Sequence, residues 1–205
     1  LSRGLRPFEL IADWSERAGA IALSSRAPRD DAALLAEFPG VPPEHALRGF
    51  DGVRAFSSRT EAAAPLLEQV LGFRPTGDAA WEVRGATRGG VYAYDAPPAS
   101  GRGVPGAGTV HHVAWSSTME QHDGWQQAVA LAGAGVSPVI DRFWFRSIYF
   151  RVPSGVLFEI ATLGPGFSVD EDPEHLGEAL ILPPAFEHMR DRVERVLTPI
   201  TNPRG

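Results

Sequence analysis

Two adjacent histidines and one glutamate, all set in apolar runs, are the residues of this sequence best placed to do chemistry. The histidines stand in Gly108-Thr109-Val110-His111-His112-Val113-Ala114-Trp115, and the glutamate in Val156-Leu157-Phe158-Glu159-Ile160-Ala161-Thr162. Both runs read as β-strands. A carboxylate buried without a partner costs several kcal/mol, roughly, or is driven to neutralise, so Glu159 needs a partner. A metal ion would be one. Imidazole and carboxylate from two strands are two thirds of the 2-His-1-carboxylate set that holds non-haem Fe(II), and a third ligand is not visible in the chain. The competing readings are plain. A histidine in an apolar strand is commonly a satisfied core residue, and Glu159 could face solvent, although its own face carries Leu157 and Ala161 and so suggests a lined cavity. Side-chain alternation sends His111 and His112 to opposite faces, so one ion can take only one of them. His112 shares its face with Val110 and Ala114, and His111 with Thr109, Val113 and Trp115.

Tyr149 joins this group through the hairpin that carries Glu159. Pro153-Ser154-Gly155 reads as a three-residue loop with glycine at the position needing a left-handed backbone. That register pairs Val152 with Val156, and hence Tyr149 with Glu159, with Cβ atoms ~5 Å apart on one face. A phenol there can donate to the carboxylate or to a substrate oxygen; a two-residue loop would break the pairing and leave an ordinary strand aromatic. Arg142 either orients an anionic substrate oxygen or holds Tyr149, or else pairs with Asp141 or Asp170 at the surface. Phe143, Trp144 and Phe145 read as core or pocket wall. Gly101, Gly103 and Gly106 lack the Gly-Lys-Ser/Thr that a phosphate-binding loop requires and read as linker.

The elements that position these residues occur twice. After residues 1–23, of which 6–13 read as the last strand of an earlier module, a Pro-rich linker covers 24–46. Residues 47–98 then give a strand (49–56), a helix (60–71, with Ala63, Leu66, Leu67, Val70 and Leu71 at helical spacing and Gly72 as stop) and strands near 74–76, 80–84 and 90–95. A second linker covers 99–107. Residues 108–163 repeat the order: strand 109–116, helix 121–134, and strands 137–141, 147–152 and 156–162. Two successive βαβββ units are an internal repeat. The tail, 164–205, contains a helix over 184–197 whose Arg190, Arg192 and Arg195 alternate with acids, as on a solvated face. The expected fold is α+β: tandem βαβββ modules with mixed sheets.

Composition narrows the classes. The chain has 205 residues and a net charge of −6, with no cysteine and no lysine, so that all 19 basic residues are arginine. The charge argues against a nucleic-acid partner. Absence of cysteine excludes disulfides and thiolate metal sites and fits a cytoplasmic protein. Apolar runs are too short for a membrane span.

The repeat, with histidine in the first strand and glutamate in the last, resembles the vicinal oxygen chelate superfamily, which includes glyoxalases, bleomycin-resistance proteins and extradiol dioxygenases. The stretches at 106–114, 142–150, 153–162, 164–167 with Asp170-Glu171, and Leu182-Pro183-Pro184 are most similar to the hydroquinone-type ring-cleaving branch. The likeness covers residues 47 to 190. It implies sheets that curl into an open barrel, and it implies His112 and Glu159 as metal ligands, with His111, Tyr149 and Arg142 as polar groups around them. It implies Fe(II), with Mn(II) as the alternative, and a hydroquinone- or catechol-like aromatic and O2 as substrates. The remaining ligand in that branch is a histidine from a first module that this chain lacks, so an N-terminally incomplete chain is expected. Such a chain should hold metal weakly, leave hydroquinone unoxidised and tend to self-associate as a homo-oligomer. The 47–98 module departs from the ligand pattern: Asp51 stands where a histidine could be, and Val91-Tyr92-Ala93-Tyr94 carries no carboxylate, so it is expected to be scaffold. Two rivals are another metal-dependent enzyme of the superfamily, a glyoxalase or isomerase, and a metal-free binding module of the bleomycin-resistance type. O2 consumption with hydroquinone separates the first, and metal analysis the second.

Overall fold

The computed structural model describes residues 8–10, 21–23, 35, 40–46, 50–85, 88–98 and 110–199. Strands β1 (Phe8–Leu10) and β2 (Ile21–Leu23) pair antiparallel; β1 falls inside the stretch expected to end an earlier module. The linkers expected over 24–46 and 99–107 lie largely outside the described residues.

The first expected module forms in full. Strand β3 (Gly52–Phe56), helix α1 (Thr60–Pro65) and strands β4 (Arg74–Gly77), β5 (Ala80–Arg84) and β6 (Gly89–Asp95) follow in order. The helix begins where its spacing predicts, but Pro65 supplies no amide proton for the regular ladder. The following turn, Leu66–Val70, widens, and the Leu71 amide donates to the Leu66 carbonyl five residues back at 3.1 Å. Ala63, Leu66 and Leu67 still reach the core.

The second module consists of β7 (Val113–Ser117), α2 (His122–Leu131), β8 (Ile140–Asp141), β9 (Arg146–Arg151) and β10 (Leu157–Thr162). Its sheet runs β7-β10-β9-β8, and the first module's runs β3-β6-β5-β4. In each, the first and last strands of the module lie side by side and parallel, and the other pairs are antiparallel. The same order and polarity in both sheets make the repeat a structural fact. No ladder joins the two four-stranded sheets among the described residues, so they do not close into a barrel.

Several boundaries differ from expectation: β3 starts at Gly52 rather than 49, and α2 ends at Leu131 rather than 134. The strand expected over 137–141 shortens to two residues, because Pro138 has no amide proton for a ladder. The strand expected over 109–116 begins only at Val113, so Val110, His111 and His112 approach it as irregular backbone.

The face of β10 that carries Phe158 and Ile160 continues into Val113 and Trp115 of β7 and forms the core. Phe158 is the junction. Its ring meets Tyr92 of the first module at 5.1 Å, and Trp115 and Phe150 at 5.9 Å each. Such edge-on aromatic contacts add to area burial. The Tyr94 hydroxyl hydrogen-bonds Ser154 in the β9–β10 turn at 2.6 Å, a second tie between modules. Helix α2 turns His122, Trp125 and Val129 inward at helical spacing. His122 is fully buried, with Nδ1 3.0 Å from the Ser117 hydroxyl, and burial holds its pKa below the usual value despite Asp123 nearby. The tail helix expected over 184–197 forms as a tight turn, Pro184–Met189, running into α3 (Arg190–Val196), where Arg190 pairs with Glu187 on an exposed face.

Two outcomes follow from this core. Phe158→Ala should cost about 3–5 kcal/mol, the usual range for deleting a buried aromatic, and both modules should still melt together. Two separated transitions in calorimetry would show that the junction does not couple them. Because the folded-state pKa of His122 is depressed, its stabilising contribution is complete above the unfolded value of 6.5 and is lost as pH falls below it, by at most ~1.4 kcal/mol per pH unit. Urea denaturation at pH 7.5 and 5.5 should therefore show a smaller acid loss in His122→Gln than in the parent; equal losses would refute this.

Candidate metal centre

Glu159 lies mid-strand in β10 with only 4 % of its surface exposed. It faces the side opposite Phe158, beside Ala114 of β7 and directly across from Tyr149 of β9. The hairpin is the one its turn predicts. Gly155 has φ of 99°, its amide donates to the Val152 carbonyl at 2.7 Å, and the Val152 amide donates to Val156 at 3.0 Å. Tyr149 and Glu159 thus share a face, and the phenol hydroxyl donates to Glu159 Oε1 at 2.7 Å.

The parallel ladder between β7 and β10 brings the histidines to the same place. His112 Nε2 lies 2.7 Å from Glu159 Oε2. Its ring stands edge-on to Tyr149 at 5.7 Å. His111 is not turned away as strand alternation requires, because alternation applies only from Val113 onward. The two Nδ1 atoms lie 2.9 Å apart with the rings nearly perpendicular. His111 therefore belongs to the cluster through His112.

Arg142 is placed by a turn. Between β8 and β9 the Arg142 amide donates to the Phe145 carbonyl at 2.9 Å, and Phe143 takes a left-handed backbone with φ of 74°. That conformation costs roughly 1–2 kcal/mol for a residue with a side chain, and the Phe143 amide is anchored on Asp141 Oδ1 at 2.8 Å. Asp170 accepts from Trp144 Nε1 at 2.8 Å. Both aspartates considered as partners for Arg142 are thus engaged elsewhere, and its guanidinium lies 5.7 Å from the Tyr149 ring centroid. Trp144 and Phe145 pack on Phe167, away from the cavity described below.

Ser147, absent from the sequence-derived set, completes the cluster. It is fully buried, two residues before Tyr149 on the same face of β9, and its hydroxyl donates to Glu159 Oε1 at 2.5 Å. The hairpin register that identifies Tyr149 also puts Ser147 diagonal to Glu159, so the signal was present. Ser137 holds the backbone of Tyr149 from the outer edge, accepting from its amide at 3.0 Å and donating its own amide to its carbonyl at 2.9 Å.

The first module carries no such cluster. Asp51 is exposed, and the carboxylate at the end of β6, Asp95, is paired with Arg54. Among the described residues no group of three histidine or carboxylate side chains could hold a metal ion. Nor is any described helix long and apolar enough to cross a membrane. A cavity of about 730 Å³ runs between the modules past Phe73, Trp115 and Trp125 and reaches His112, but Glu159, Tyr149 and Ser147 do not line it.

No family model matches the chain. It is 41 % identical over 166 residues to the candidate ring-cleaving dioxygenase MhqO of Bacillus subtilis, an alignment covering 79 % of this chain and 53 % of that protein. It is 34 % identical over 172 residues to the chlorohydroquinone/hydroquinone 1,2-dioxygenase of Sphingobium indicum, covering 78 % of this chain and 52 % of the other. The crystal structure of a candidate dioxygenase from Bacillus subtilis superposes with a TM-score of 0.75 at 40 % identity, over 84 % of this chain and 57 % of that one. The chain spans about half the length of the curated relatives it matches. With the repeated βαβββ topology, these similarities place it: the chain has the vicinal oxygen chelate fold and is homologous to proteins named as ring-cleaving dioxygenases.

Proposed function

We propose that this chain is the ligand-bearing part of a metal-dependent dioxygenase that cleaves hydroquinone- or catechol-like rings with O2. The observation that carries this reading is the buried Glu159 carboxylate facing His112 Nε2 at 2.7 Å.

The donor set fits a divalent ion. One imidazole nitrogen and one carboxylate oxygen suit Fe(II), or Mn(II) as the alternative. Their 2.7 Å separation is near the roughly 3 Å expected between neighbouring donors of a six-coordinate ion with bonds of ~2.1 Å. We assign the third protein ligand to a residue outside the described ones, consistent with the lack of a three-ligand group among them. When bound, the ion supplies Lewis acidity and a redox centre for the aromatic diol and O2.

The surrounding side chains handle protons and position. With His112 Nε2 engaged as a ligand, the proton of its neutral ring sits on Nδ1 and donates to His111 Nδ1. His111 then carries its own proton on Nε2, at an exposed position from which it can exchange with substrate or solvent. Tyr149 offers a phenolic hydroxyl beside the carboxylate, where it can give a proton to, or take one from, a ring oxygen as the ring opens. Arg142 clamps the Tyr149 ring and presents a positive charge to an anionic substrate oxygen.

In the full-length protein, His112→Ala and Glu159→Ala should each abolish bound Fe or Mn by elemental analysis while the circular dichroism spectrum is kept. Stoichiometric metal in either variant would remove that residue from the ligand set. Tyr149→Phe should retain metal yet lower hydroquinone turnover about 10²-fold. Parental turnover would make Tyr149 a packing residue.

A further inference from the structure

Glu159 has two oxygens, and the surrounding donors divide them unequally. Oε1 accepts from Ser147 at 2.5 Å and from Tyr149 at 2.7 Å, while Oε2 faces, among the described residues, only His112 Nε2 at 2.7 Å. A carboxylate oxygen has two lone pairs, so two donors fill Oε1. The two donors also differ in surroundings. Tyr149 is half-buried, whereas Ser147 lies at 0 % exposure, out of contact with solvent.

We propose that Ser147 is a positioning residue for the metal centre: its buried hydroxyl occupies Glu159 Oε1 and fixes the carboxylate so that a single oxygen, Oε2, is presented beside His112 Nε2. The inference rests on the reading of Glu159 and His112 as metal ligands. Ser147 touches neither metal nor substrate and acts only through Glu159. Without its hydroxyl, Oε1 keeps one donor, which is shared with solvent, and the carboxylate is free to rotate and offer both oxygens. Groups that orient a ligand from behind typically matter 10–100-fold for metal affinity.

The test is Mn(II) affinity of the full-length protein by chelator competition, with melting of the metal-free forms in parallel. Ser147→Ala should weaken Mn(II) binding at least tenfold, and more than Tyr149→Phe does, while the metal-free form still melts in one cooperative step, lower than the parent by no more than about 10 °C for the lost buried hydrogen bond. Ser147→Thr and Ser147→Val are nearly equal in size and separate hydroxyl from volume: the threonine variant should recover most of the affinity and the valine variant should not. Because both hydroxyls share one oxygen, Ser147→Ala and Tyr149→Phe should combine non-additively. Parental affinity in Ser147→Ala, or equal affinity in the threonine and valine variants, would overturn the role of Ser147 and leave the ligand assignment standing. If the parent protein takes up no Mn(II) or Fe(II), the ligand assignment fails and this inference with it.

Discussion

The feature on which the rest depends is a carboxylate in the middle of a buried strand. Leaving Glu159 charged at that depth without partners would cost several kcal/mol, in practice, and a strand interior supplies no backbone donors because the ladders use them. The compensation comes from three side chains: Ser147 and Tyr149 on the antiparallel neighbour β9, and His112 just before the parallel neighbour β7. Each is in place only because the ladders hold a specific register. A slip of one residue would turn Ser147 and Tyr149 to the Phe158 face and leave the carboxylate stranded.

The topology explains why imidazole and carboxylate meet although they are far apart in sequence. A parallel pair needs a crossover, and α2 together with the β8–β9 hairpin provides it, bringing the first and last strands of the module side by side. The first module has the same arrangement with no ligands in it. Its rings, Tyr92 and Tyr94, instead pack on Phe158 and Ser154, directly behind and beside the hairpin that carries Glu159. The second module thus holds the cluster around Glu159, and rings of the first module pack behind the hairpin that carries it.

How much was legible depends on how local the determining physics is. The Glu159–Tyr149 pairing follows from one glycine, since a three-residue turn ending in a left-handed residue fixes everything along both strands. Both modules and most strands follow from periodicity. The relation between His111 and His112 did not, because alternation holds only inside a strand, and no local signal marks Val113 rather than Thr109 as its start. The placement of Arg142 was open for a different reason. Which carboxylate it meets is decided by what Asp141 and Asp170 already bind, and that depends on a left-handed Phe143 and on contact with the 166–170 segment. Ser147 was overlooked although the register exposes it, because a serine in an apolar strand carries no signal until the carboxylate diagonal to it is known to be buried.

The most direct test of the central claim is anomalous diffraction at the manganese edge from crystals of the full-length protein grown with Mn(II). The account predicts a peak within bonding distance of both His112 Nε2 and Glu159 Oε2, with Ser147 and Tyr149 still on Oε1. A peak bonded to other residues, or a direct His112–Glu159 hydrogen bond persisting at saturating Mn(II), would contradict it.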